Sequence, residues 1–93
     1  MPRLTGFREK AQIKADVASA RTIIGAAQVA VADGATVAGG DTLAATGLGN
    51  YLNSWPTAQY TGTLTLVLTG TEFSVTNGTV EIAPNPATAY DIP

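Results

Sequence analysis

TLTLVLTGTEFSVTNGTVEIA, Thr63 to Ala83, decides the fold of this 93-residue chain. Three short runs rich in Thr, Val, Leu, Ile and Phe are separated by Gly70-Thr71 and Asn77-Gly78. Gly-Thr suits a type II′ hairpin turn, and Asn-Gly is the preferred type I′ pair. Pairing outward from these turns sets Leu68 opposite Phe73 and Leu66 opposite Val75. The second turn sets Val75 opposite Val80, Phe73 opposite Ile82, Ser74 opposite Glu81 and Glu72 opposite Ala83. Every large apolar residue except Val67 then falls on one face, while Thr, Ser and Glu fill the other. A slip of one residue would destroy that agreement. The stretch reads as a three-stranded antiparallel meander with one face to bury.

What covers that face lies at the other end of the chain. From about Arg3 to Asp33, Ala, Gln, Lys, Arg, Glu and Ile dominate and no Pro intervenes, which predicts one helix. Gly34 follows Asp33 as its expected C′ residue. At ~1.5 Å per residue the helix is about 46 Å long, whereas a compact domain of this size is only about 30 Å across. Its N-terminal turns are therefore expected to project. At ~100° per residue, Ile13, Val17, Ala20, Ile24, Ala27 and Val31 form one stripe for the sheet. Nearly opposite runs a second stripe of smaller residues, Leu4, Ala11, Ala15, Ala18 and Val29. Lys10, Lys14 and Arg21 share one flank, Glu9 and Asp16 another, and none of these opposite charges is spaced i,i+4. The second stripe and the unpaired charges call for a partner outside the domain.

Between helix and meander, residues 34–62 are rich in Gly, Ala and Thr. A short helix capped by Asp41 and ending near Gly47 or Gly49 is expected there, followed by an irregular bridge anchored by Trp55. Residues 84–93 read as a Pro-punctuated tail leaving the sheet. The whole is a single α+β domain: helix about 3–33, loop 34–62, meander 63–83, tail 84–93.

Composition narrows function. The chain has neither Cys nor His, which removes disulfides, thiolate sites, the commonest metal ligand and the commonest general base. No enzyme is expected: Glu72 and Glu81 lie on the polar sheet face without opposing one another, and no phosphate loop is present. Asp33 and Asp41 are better explained as a helix end and a cap than as a cation site. No cofactor or metal is expected. Tyr51, Trp55 and Tyr60 could make a sugar-binding platform, but with only six aromatic residues in the chain packing under the bridge is the simpler use. The net charge of -2 conceals a polarity. All five cations precede residue 22 and leave the first 21 residues at +3, while the remainder carries -5 and no cation. That polarity fits a contact with an acidic surface, such as another copy. Five cations without neighbouring aromatics make a poor nucleic-acid footprint, and direct nucleic-acid binding is not expected.

The arrangement resembles the globular part of type IV pilins and type II secretion pseudopilins. PRLTGFREKAQIKADVASARTIIGAAQVAVADG (residues 2–34) is similar to the second half of the pilin helix: a Pro, then a basic run, then KA…AD…AR…A closing at Asp-Gly. YLNSWPT (residues 51–57) resembles the family's Tyr-Leu…Trp-Pro bridge into the sheet. The resemblance implies a pilin-like fold and a structural subunit of a type IV pilus or pseudopilus, built by self-assembly with other copies or related pilins. It further implies a membrane-anchored precursor in which ~20 apolar residues precede Pro2, and an extracellular pilus or cell-surface location, the 93-residue chain itself being soluble. The expected subunit contacts are Leu4, Lys10, Ala11, Lys14, Ala15, Ala18 and Arg21. The chain departs from the family in lacking a Cys pair and the acidic calcium cluster of major pseudopilins, so neither is carried over. The alternative is a secreted adhesive or carbohydrate-binding module using the Thr-rich strand face or the aromatics.

Overall fold

A computed structural model describes the backbone of residues 2–91 and the side chains of residues 8–91. The elements are α1 (Pro2–Ala32), α2 (Leu43–Thr46), β1 (Thr65–Thr69), β2 (Glu72–Thr76) and β3 (Glu81–Ala83), then a 3-10 turn at Thr88–Tyr90. The strands form one antiparallel sheet in the order β1-β2-β3, and α1 packs across β2 and β3. The architecture is α+β, with one long helix on a three-stranded meander.

Helix α1 closes as its sequence requires. Ala35 N–H donates to the Ala30 carbonyl and Gly34 N–H to that of Val31, both at 2.9 Å. Gly34 sits at φ +84°, the left-handed conformation in which this paired closure satisfies the last carbonyls. The molecule measures 50 × 25 × 19 Å. Its long axis matches the helix, and Arg8, Glu9, Lys10 and Ala11 are exposed in succession before the core begins at Ile13.

The face that α1 buries is rotated from the expected one. Ile13, Ala20 and Ala27 are buried as anticipated, but their companions are Asp16, Ile23 and Ala30. Val17 and Ile24 are half-buried, and Val31 is 50 % exposed. Both sets alternate in steps of three and four, and they differ by roughly 50° about the axis. Small side chains at Ala20, Ala27 and Ala30 leave room for the sheet to lie close. Leu48, Leu64, Leu66, Val75, Ile82, Ala83 and Tyr90 complete the core.

The first hairpin has the expected register, with Leu66 opposite Val75 and Leu68 opposite Phe73, and Gly70 at φ +64°. Leu68 is nevertheless 38 % exposed, because α1 covers β2 and β3 and leaves the hairpin end open. The second hairpin differs from expectation. Thr76 pairs with Glu81 and Val75 with Ala83, so Ile82 is an extra residue in β3. Val80 does not oppose Val75, nor Ile82 Phe73, nor Glu81 Ser74, nor Glu72 Ala83. A type I′ turn needs positive φ at both central residues, yet no non-glycine residue among those described has one. Asn77 works through its side chain instead. Its Oδ1 accepts the N–H groups of Thr79 and Val80, each at 2.9 Å, an Asx-type turn that opens the loop to four residues. The bulge in β3 then lets neighbouring Ile82 and Ala83 both reach the core.

Two further expectations are corrected. Helix α2 is capped by Thr42, whose Oγ1 accepts Ala45 N–H at 3.0 Å, and not by Asp41, which is exposed; α2 ends at Gly47 as anticipated. The tail does not leave the sheet. It folds back so that Tyr90 is buried, its hydroxyl accepting from Asn77 Nδ2 at 3.0 Å. Residues 34–62 also gain a contact that the sequence did not suggest, an isolated antiparallel bridge between Gly40 and Leu66 at the β1 edge.

Candidate functional site

The side of α1 turned away from the sheet carries the expected subunit contacts. Lys10, Ala11, Lys14, Ala18 and Arg21 are exposed, and Ala15 is half-buried at the border of the covered face. Leu4 lies outside the residues whose side chains are described. The stripe continues through Thr22, Gly25 and Val29, of which Val29 is 55 % exposed. Thr22 turns its hydroxyl back to donate to the Ala18 carbonyl at 3.0 Å. Gly25 is the telling member. A side chain built there would meet nothing within 4 Å, although glycine inside a helix costs about 1 kcal/mol relative to alanine. No contact among the described residues requires a glycine at this position.

From Ala11 to Val29 the stripe is about 27 Å long and presents no residue larger than valine. A surface of this kind can do one thing well, which is to let another backbone approach closely. The cations stand along one flank of it. Lys14 and Arg21 border a shallow groove shared with Pro86, Tyr90 and Asp91.

Of the other candidate groups, Asp41 and Glu72 are exposed, and the rest are engaged within the chain. Trp55 is half-buried, and its Nε1 donates to the Leu64 carbonyl at 2.8 Å. Tyr51 donates to Asp33 Oδ2 and Tyr60 to Glu9 Oε1, each at 3.1 Å. The Tyr60 ring meets the Tyr90 ring edge-on, with centroids 5.8 Å apart. Glu81 accepts Asn85 N–H at 2.9 Å. Among the described residues, no group of three or more His, Cys, Asp or Glu could hold a metal ion.

Compared with known proteins, the chain matches no family model, no curated protein and no solved structure. The geometry therefore carries the functional argument.

Asp16 is the consequential residue that sequence reasoning misplaced. It is fully buried, with Oδ1 accepting Gln59 N–H at 2.7 Å and Oδ2 accepting Tyr60 N–H at 2.9 Å. Both carboxylate oxygens are thus used to hold the bridge segment against α1, in charge-assisted bonds stronger than neutral ones. A signal was available, because Glu9, Ile13, Asp16, Ala20, Ile23, Ala27 and Ala30 form an unbroken four-three series. Along that series both carboxylates reach Tyr60, Glu9 at its hydroxyl and Asp16 at its N–H.

Proposed function

We propose that this chain is a structural subunit of a type IV pilus or related pseudopilus filament, acting by self-assembly through its long N-terminal helix. The carrying observation is a helix longer than its domain, with a small-residue stripe in which Ala11, Ala18 and Val29 are exposed and Ala15 and Gly25 half-buried. Ala11, Ala15, Ala18, Gly25 and Val29 give neighbouring helices a close packing surface, while Lys10, Lys14 and Arg21 meet acidic groups on an adjoining subunit. The partners are other copies or related pilins. The role is structural and not enzymatic, and the location is an extracellular pilus or the cell surface, reached from a membrane-anchored precursor. No helix among the described residues is long and apolar enough to cross a membrane. Sequencing upstream is expected to reveal a short basic leader and about 20 apolar residues with a Glu near their start.

Filament formation tests the reading directly. Lys10→Glu with Lys14→Glu is expected to remove filaments from the sheared cell-surface fraction, while the isolated domain, diluted until it is monomeric, keeps its melting temperature to within a few degrees. Both lysines are exposed, and exposed substitutions ordinarily change stability by less than about 0.5 kcal/mol. A matching loss of thermal stability, or filaments undiminished in the variant, would overturn it.

A further inference from the structure

Between α1 and the open end of the first hairpin lies a groove of about 660 Å³. Its floor includes Ile24, Val31 and Phe73, and Glu72 and Glu81 stand among its walls. It exists because α1 covers β2 and β3 but leaves the hairpin end bare. Half-exposed Val31 and half-buried Phe73 give it apolar surface, and two carboxylates give it a negative rim. Nothing among the described residues fills it.

At ~100° per residue, Gln28 of the groove wall falls within about 40° of Lys10 and Lys14 on the helix circumference. A basic ridge and an acidic, apolar-floored groove therefore lie along one flank of the same helix, at opposite ends. We propose that a second copy of this chain docks antiparallel against this flank, each copy setting its Lys10–Lys14 ridge against the other's Glu72–Glu81 groove. A two-fold axis near Arg21 brings Lys14 level with the partner's Gln28, and Lys10 level with the partner's Ala32. Both contacts form at once, so the arrangement closes as an isologous dimer. Arg21, which meets its own symmetry mate near the axis, shares its local groove with the acidic Asp91. The small-residue stripe lies about a quarter-turn away and remains uncovered. The dimer is a property of the free chain and stands independently of the filament reading.

Charge exchange tests it. In sedimentation equilibrium of the 93-residue chain at low ionic strength, weight-average mass is expected to rise from monomer to dimer with concentration, and to fall back at high salt as the charges are screened. Lys10→Glu with Lys14→Glu, or Glu72→Lys with Glu81→Lys, should each leave a monomer. An equimolar mixture of the two variants should recover the dimer, and so should the chain carrying all four changes. The mixture provides the control for folding, because a misfolded variant cannot rescue its partner. A wild-type chain monomeric to millimolar concentration would overturn the proposal. So would association that survives both reversals, a mixture that stays monomeric, or open-ended growth beyond the dimer.

Discussion

A single carboxylate in the middle of α1 decides how the irregular third of this protein is attached. Asp16 is removed from water, and burying a carboxylate is costly unless its oxygens are satisfied. Here the satisfaction comes from the peptide N–H groups of Gln59 and Tyr60, so the cost is recovered only when the bridge lies on the helix. Asp16→Asn preserves the shape but turns one acceptor into a donor facing an N–H. It is expected to lower stability by about 2–3 kcal/mol, the scale of losing a charge-assisted hydrogen bond and leaving a buried donor unpaired. Urea denaturation would read the loss. Hydrogen exchange at Gln59 and Tyr60 would localise it, because those two amides should lose protection ahead of the β2 amides. Unchanged exchange at both positions would remove Asp16 from this role.

At the scale of elements, the helix and the first hairpin were legible because each rests on local chemistry. Gly34 stops α1, and Gly70 turns β1 into β2 with the apolar residues in phase. The rotation of α1 was not legible, since Val17, Ile24 and Val31 outweigh Asp16, Ile23 and Ala30 in hydrophobicity. A carboxylate counts against a buried stripe until its partners, 43 and 44 residues away, are known. The register of the second hairpin failed for a related reason: Asn77 has two ways to make a turn, and Tyr90, returning from the tail, engages its amide nitrogen. The small-residue stripe could be laid out from the helix period and side-chain size alone, but not its border with the covered face, where Ala15 is half-buried. The rotation has a sharp test. Ile23→Ala removes a fully buried side chain and should cost about 2–5 kcal/mol. Ile24→Ala, one residue on, trims a half-buried one facing the groove and should cost well under half as much. Equal losses would restore the face expected from hydrophobicity alone.

Across the whole molecule, tyrosines tie the connecting segments to one another and to the helix. Tyr60 carries the bridge onto Glu9 near the projecting end, Tyr51 carries the loop onto Asp33 at the other end, and Tyr90 draws the tail beneath Asn77. Each hydroxyl is held above the ordinary tyrosine value, for different reasons. For Tyr60 the hydrogen bond to Glu9 comes first, followed by repulsion from the same carboxylate. For Tyr51 desolvation leads, with Asp33 adding to it. For Tyr90 burial dominates, partly offset by the Asn77 hydrogen bond. The folded state therefore holds these three protons more tightly than the unfolded chain does. Their contribution to stability is complete below the unfolded value of 10.0, and it is lost as pH climbs through the higher folded values. Melting temperature should accordingly fall steeply above pH 10, in step with phenolate absorbance. Tyr60→Phe, which keeps the ring against Tyr90 and removes the ionisable hydroxyl, should start from a lower melting temperature and show a shallower alkaline decline. A decline as steep as that of the parent chain would mean that Tyr60 contributes nothing to it, and that Tyr51 and Tyr90 alone carry the alkaline sensitivity.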